Sequence, residues 1–91
     1  MIRINVFFQV SADNRAAALE IAKELVACSL KDNGCIGYDI FESATRNDVL
    51  MICETWKDEV SLAEHGKAAH FTRLLPKLQE LGSTKIEKFN F

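Results

Sequence analysis

Two histidines and the chain's only tryptophan lie close together in the segment WKDEVSLAEHGKAAHF, residues 56–71. An imidazole can bind a metal, act as a general base or bond to backbone carbonyls at a helix end. A zinc pair on a helix uses histidines four residues apart, because one turn then brings both rings to one side. His65 and His70 are five apart, about 140° around a continuous helix, and Gly66 is expected to break that helix. The spacing therefore predicts no metal site.

The other side chains that could take part in chemistry are the three cysteines, Cys28, Cys35 and Cys53. Their number is odd, their spacing is wide and no CxxC motif is present, so the sequence does not indicate a disulfide framework. We expect reduced thiols that fill space in the fold. A Cys/His nucleophile pair stays open as an alternative. No GxGxxG motif or other cofactor signature occurs, and no cofactor is predicted.

Size and charge limit the classes of partner. The 91 residues are 48% hydrophobic and carry a formal net charge of −2, with a pI near 5.6. This composition predicts a single domain over residues 1–91, without the basic surface that nucleic acid or an anionic membrane would require. The N-terminal segment MIRINVFFQV alternates in polarity and does not resemble a signal peptide. We therefore predict a cytoplasmic protein without nucleic-acid or membrane partners.

Four segments have the pattern of β-strands. Residues 2–10 alternate between apolar and polar side chains with a period of two, which is typical of a strand with one buried face. CIGYDIFES (35–43) and DVLMICETW (48–56) are rich in strand-forming residues, and the polar ATRN between them predicts an antiparallel hairpin. TKIEKFNF (84–91) is the fourth predicted strand.

Two helical regions separate these strands. Ser11–Asn14 offers capping chemistry, and apolar residues then recur at helical spacing until Asn33-Gly34 supplies a left-handed stop. Asp58 is expected to cap the second region. Gly66 is expected to interrupt it, Pro76 to kink or restart it and Gly82 to end it.

The order βαββαβ predicts an α+β, ferredoxin-like fold in which both helices cover one face of an antiparallel four-stranded sheet. On the third strand Val49, Met51 and Cys53 point to one side and Leu50, Ile52 and Trp56 to the other. Both faces of the sheet are therefore apolar, although an uncovered face should be polar. We expect a homodimer in which the sheets of two chains face each other. Exposure of a few tolerated hydrophobic residues is the alternative.

Several of these residues together resemble the antibiotic biosynthesis monooxygenase family. The resemblance covers nearly the whole chain and consists of a Gly-Cys-x-x-Tyr-Asp strand, an aliphatic strand ending in Glu-x-Trp, an Asp-x-x-x-Leu-x-x-His turn and a His-Phe pair. The matching residues are Gly34, Cys35, Tyr38, Asp39, Glu54, Trp56, Asp58, Leu62, His65, His70 and Phe71. This resemblance implies a dimeric α/β barrel and a small-molecule substrate.

The resemblance also implies roles for individual residues. A member without flavin or metal would oxidise a small aromatic or quinol-like substrate with O2, drawing the reducing power from the substrate itself. His65 is the expected catalytic base. Trp56, Phe71 and Tyr38 would form a flat wall for the substrate ring, and His70 would bind a substrate oxygen or orient the turn.

Other readings of the same residues stay open. The family includes isomerase-like members and haem degraders, so an isomerase, a binding module for an oxygenated metabolite and a haem-degrading enzyme are alternatives. A strand-one Asn of the haem degraders corresponds to Asn5 in one alignment and to Val6 in another, and Asn5 is retained as a candidate substrate-binding residue. His65 and His70 could instead cap a helix end, and Glu54 could pair with a cation.

Overall fold

The computed structural model describes residues 1–91 and contains four strands and three helices. The strands are β1 (Ile2–Val10), β2 (Cys35–Glu42), β3 (Val49–Trp56) and β4 (Gly82–Asn90). The helices are α1 (Ala12–Ser29), α2 (Glu59–Lys67) and α3 (Ala69–Leu81). None of the three helices is long and apolar enough to cross a membrane.

The strands form one antiparallel sheet in the order β2-β3-β1-β4. β1 and β3 occupy the centre because each alternates large apolar residues on the face that the helices cover. The α+β, ferredoxin-like fold predicted from the sequence is confirmed. The predicted hairpin is also confirmed, since β2 and β3 pair through a turn at residues 43–48.

The second helical region differs from its prediction. Gly66 does not interrupt it, because α2 continues through Gly66 to Lys67. The break falls instead at Ala68, whose extended conformation (φ −64°, ψ 145°) ends α2 and precedes α3. α3 then continues through Pro76 without a restart. The second region is therefore interrupted as expected, but the predicted position was wrong, since the extended residue that divides it is Ala68 and not Gly66.

The two faces of the sheet have the side-chain distribution that strand alternation predicts. The helix-covered face carries the core, with Leu50, Ile52 and Trp56 of β3 at 3% exposure or less. The opposite face, which we call the open face, carries Phe7 and Phe41 at 38% and 48% exposure. The open face thus carries large apolar side chains among polar ones, and no helix of this chain covers it.

Gly34 fixes the position of α2 relative to the sheet. Its φ of +79° is the left-handed conformation predicted for the Asn33-Gly34 stop, although α1 itself ends earlier, at Ser29. The Gly34 carbonyl accepts a hydrogen bond from the Lys57 backbone N–H at 2.8 Å. The space beside its Cα is filled by the Ser61 side chain of α2. Only a residue without Cβ can therefore occupy this position unchanged.

Replacing Gly34 by alanine is expected to lower the free energy of unfolding. Alanine is strained at positive φ, which costs about 1–3 kcal/mol, and the overlap of its Cβ with Ser61 adds to this cost. Urea denaturation would measure the change. Gly66→Ala is the control, since Gly66 lies in α2 with open space around it. That variant should gain roughly 0.5–1 kcal/mol. Equal stability of the two variants would contradict this account of Gly34.

Candidate functional site

A cavity of about 270 Å³ lies between the helix-covered face of the sheet and the helices. Its wall is mostly aliphatic and aromatic, with side chains from all four strands and all three helices. The polar residues that line it are Tyr38 of β2, Glu54 of β3, His65 of α2 and Thr84 of β4. No lysine or arginine lines it. The cavity therefore suits a small, largely apolar and uncharged molecule with a few hydrogen-bonding groups.

His65 reaches this cavity because of how α2 begins. The Asp58 carboxylate caps the helix by accepting from the Ser61 backbone N–H at 2.9 Å and from the Ser61 hydroxyl at 2.7 Å. Ser61 and His65 are one turn apart, and they are the two buried residues of α2. The cap and the Gly34 contact therefore determine which side of α2 faces the sheet, and this side carries His65 at 3% exposure.

A carboxylate holds the His65 ring in a defined orientation. Nδ1 of His65 lies 2.8 Å from Oδ2 of Asp32, in the turn between α1 and β2. Asp32 is itself fixed by its backbone, because its N–H donates to the Ser29 carbonyl and its carbonyl accepts from the Cys35 N–H. Since a carboxylate only accepts, Nδ1 carries the proton and Nε2 carries the free electron pair. Nε2 is buried and has no hydrogen-bond partner.

His70 reaches the same carboxylate from α3. Its Nε2 lies 2.8 Å from the same Oδ2 of Asp32, and the rings of His65 and His70 are 5.8 Å apart. The break at Ala68 brings these rings together despite their spacing of five. His70 does not line the cavity. His70 lies on the Asp32 side of the His65 ring, away from the cavity, and its hydrogen bond helps to hold the carboxylate in position.

Burial keeps the His65 imidazole neutral near pH 7. Loss of solvent contact lowers the pKa of His65 below its ordinary value, an effect that the adjacent Asp32 partly opposes. The neutral ring with an unpartnered Nε2 is the form that can accept a proton. The Asp32–His65 pair therefore presents a neutral, oriented imidazole with the geometry that a general base requires.

Trp56 lies behind His65, outside the cavity wall. It is fully buried, and its ring centroid is 4.5 Å from that of His65 with an interplanar angle of 34°. Its indole Nε1 donates to Oε1 of Glu54 at 2.8 Å. Glu54 has no cationic partner, contrary to the sequence-based expectation of an ion pair, and burial raises its pKa to about 7. Trp56 thus contacts both Glu54 and His65.

The remaining predicted site residues divide between the two faces of the sheet. Phe71 and Tyr38 line the cavity, with ring centroids 4.9 Å and 5.5 Å from that of His65. Asn5 pairs with Cys53 on the open face and does not reach the cavity. The structure therefore brings together Tyr38, Trp56, His65, His70 and Phe71, while Asn5 lies apart from them.

The same cluster offers three atoms that could ligate a metal. Asp32, His65 and His70 each provide one donor atom, and these atoms lie within 4.8 Å of one another. The sequence argument against a metal pair rested on helical spacing and on an expected break at Gly66. The break falls instead at Ala68, and it brings these donor atoms together. Both imidazoles lie at hydrogen-bonding distance from one carboxylate oxygen, so Asp32 provides a hydrogen-bond partner for one nitrogen of each ring.

Sequence reasoning missed the role of Asp32 entirely and the environment of Glu54. Asp32 lies in a polar turn, where an acidic residue normally faces water, and nothing local indicates two histidine partners. Glu54 carried a detectable signal, because strand alternation places it on the same side as Ile52 and Trp56. An acidic residue on a core-facing position predicts a perturbed carboxyl group.

A family model and a relative of known sequence both resemble this chain over most of its length. The family model described as antibiotic biosynthesis monooxygenase matches residues 1–77. The Bacillus subtilis (strain 168) protein named "Putative monooxygenase YcnE" is 31% identical over 87 residues, covering 96% of this chain and 92% of that one.

Two solved structures show the likeness in three dimensions. A conserved protein of unknown function from Bacteroides thetaiotaomicron, described as a possible oxidoreductase, is 58% identical with a TM-score of 0.97, covering 99% of this chain and 96% of that one. SnoaB from Streptomyces nogalater, a cofactor-independent oxygenase, shares the fold at 12% identity and a TM-score of 0.89, covering 99% and 91% of the two chains. With the family model matching most of its length, this chain belongs to the antibiotic biosynthesis monooxygenase family.

Proposed function

We propose that the protein is a cofactor-independent monooxygenase that oxidises a small aromatic or quinol-like substrate with O2. The observation that carries the proposal is the oriented, neutral His65 ring. His65 lines an apolar cavity, and its Nε2 has no hydrogen-bond partner. Family membership and the monooxygenase name of the Bacillus subtilis relative support the reaction class.

In this mechanism His65 takes the proton of a substrate hydroxyl at Nε2, and Asp32 stabilises the resulting imidazolium through Nδ1. The substrate anion passes one electron to O2, and the two radicals recombine at a ring carbon to form a peroxide that takes the proton back from His65. Loss of water from this hydroperoxide gives the quinone. For a hydroquinone the balance is hydroquinone plus O2 to hydroxyquinone plus water, so one oxygen atom enters the product.

The cavity wall contributes what this chemistry needs besides a base. Phe71 and Tyr38 lie beside His65 and can hold an aromatic ring against the imidazole. The apolar wall excludes water from the radical pair. A cavity of about 270 Å³ is at the small end of ligand sites, which span roughly 300–1,000 Å³, and this favours a substrate of one or two rings over haem. The absence of cationic lining residues disfavours a phosphorylated substrate.

Oxygen uptake with a panel of hydroquinones and hydroxylated bicyclic aromatics tests the proposal directly. We expect uptake well above the uncatalysed rate for at least one compound, with incorporation of one atom from labelled O2 into the product. Uptake at the background rate across the panel, or equal rates for the wild type and His65→Ala, would contradict the proposal.

We expect chelation to leave this activity unchanged. If the Asp32, His65 and His70 cluster acts through hydrogen bonds, then prolonged treatment with EDTA and dipicolinate should not lower kcat, because no metal takes part in the step. Metal analysis of the treated protein would confirm removal. A loss of activity that one added divalent ion restores would assign the chemistry to a metal on these three ligands.

We further propose that two copies of the chain associate through the open face. Register places Phe41 beside Met51 and Met51 beside Phe7, so an apolar row crosses three adjacent strands. Phe7 and Phe41 are exposed in the isolated chain and Met51 is half-buried. A contiguous apolar surface of this kind is typical of an association site.

Localisation in the cytoplasm stays a prediction from the sequence.

A further inference from the structure

Glu54 is the one acidic residue that lines the cavity. It lies on central strand β3, and it is 5% exposed. Oε1 accepts from the Trp56 indole at 2.8 Å, and no lysine or arginine forms an ion pair with the carboxyl group. A carboxylate buried without a cation is strongly disfavoured, whereas a protonated carboxyl group is tolerated. The position is therefore suited to a group that holds a proton inside the cavity.

Burial favours this protonated form, although hydrogen bonds from Trp56 and Tyr38 partly oppose it by lowering the pKa of Glu54. Its strand neighbours are Ile4 on β1 and Tyr38 on β2, neither of which carries positive charge. Cys35 of β2 lies close enough to Glu54 for the carboxyl group to raise the pKa of the thiol. His65 of α2 lines the same cavity as a neutral ring. α1 and α3 contribute apolar side chains to this cavity. Burial raises the pKa of Glu54 to about 7, so a large share of the molecules carry the proton at neutral pH.

We propose that Glu54 is the general acid of the reaction and the counterpart of the base His65. This inference rests on the proposed function. In the hydroperoxide formed on the substrate ring, the ring C–H proton passes to His65 and its electron pair forms the new C=O bond as the O–O bond breaks. The departing hydroxide takes the proton of Glu54 and leaves as water. His65 has then gained one proton and Glu54 has lost one, and transfer between them through solvent restores both groups.

Two carboxyl-dependent properties distinguish this role from a structural one. The wild-type rate should fall about tenfold per pH unit above the Glu54 pKa, because the ionised carboxyl group has no proton to give. Glu54→Gln keeps the shape and an oxygen that can accept from Trp56, but it cannot donate a proton as an acid. We expect this variant to lose about 10²–10⁴-fold in kcat, to lose the alkaline fall in rate and to release more hydrogen peroxide per O2 consumed.

Trp56 offers a readout that needs no substrate. Because it is the only tryptophan and bonds Glu54 directly, the NMR signal of its indole N–H should follow ionisation of the carboxyl group. Measured in a His65→Ala background, where the imidazole cannot contribute, the signal should titrate with a midpoint near 7 and become flat when Glu54→Gln is added. Glu64→Gln, which changes an exposed carboxylate of α2, is the matched control and should leave rate and titration unchanged.

The outcomes separate the two proposals. An indole signal that does not titrate near neutral pH overturns the proton-holding role of Glu54. An active wild type and an inactive His65→Ala, together with a Glu54→Gln variant of unchanged rate and pH profile, overturn the acid role and leave the proposed function standing. Equal activity of wild type and His65→Ala overturns the proposed function, and the acid role then fails with it.

Discussion

Replacing His65 by alanine is expected to lower kcat/KM for oxygen-dependent oxidation by about 10²–10⁴-fold, the usual contribution of a positioned general base. The reason is the orientation of the ring: Asp32 occupies Nδ1, and Nε2 is left without a partner beside an apolar cavity. Steady-state oxygen uptake on the most active compound would measure the effect, and circular dichroism would show that the variant is folded.

Two further variants test the hydrogen-bond arrangement. Asp32→Asn should lose activity to a similar extent, because an amide that donates to Nδ1 would place the ring proton on Nε2. His70→Gln keeps a side-chain donor near Asp32 and is the matched control, with an expected loss below about tenfold. A His70→Gln variant as inactive as His65→Ala would contradict the assignment of the base to His65.

The pH dependence of kcat/KM gives an independent check of His65. Burial lowers its pKa below the ordinary value, and the base must be neutral to accept a proton. The rising limb of the pH profile should therefore have its midpoint below about 6.5, at lower pH than the fall in rate expected from Glu54. A rising limb centred above that value would contradict a buried imidazole as the base.

Introducing a charge on the open face is expected to dissociate the proposed dimer. Phe7 and Phe41 would lie between the two sheets, and an unpaired charge left there costs roughly 3–5 kcal/mol, equivalent to at least about 10²-fold in the dissociation constant. In a two-fold symmetric interface the substitution occurs twice, which increases the effect. Sedimentation of Phe7→Glu and Phe41→Glu over a concentration series would measure it.

Val60→Glu is the matched control for these variants. Val60 is 67% exposed at the start of α2, on the helical side of the molecule, and a new carboxylate there suits the helix N-terminus. This variant should sediment like the wild type. A wild-type protein that sediments as a single chain at every concentration would contradict the proposed association.

Most of the fold could be predicted because its signals are local. The alternation of Ile2, Ile4 and Val6 in β1 requires one buried face, and Asn33-Gly34 requires a left-handed turn. The face assignments of β3 follow from the same alternation. These features depend on neighbouring residues in the sequence, and the structure bears them out.

The arrangement of the candidate site could be predicted only in part. Trp56, His65 and Phe71 were identified from residue type and resemblance. The convergence of His65 and His70 on Asp32 depends on one extended residue, Ala68, and alanine carries no signal for breaking a helix because it favours helix most strongly. Packing of α3 against α1 and the sheet overrides that preference. The Asp32 contacts span 33 and 38 residues, a separation that no local pattern can indicate.

The cavity lies between the helices and the sheet of one chain, and the proposed acid Glu54, the proposed base His65 and the carboxylate of Asp32 all belong to that chain. Association through the open face would therefore supply no reacting group across the boundary. Each protomer of such a dimer would turn over independently of its partner. A dimer of one wild-type and one inactive chain would therefore keep half of the activity.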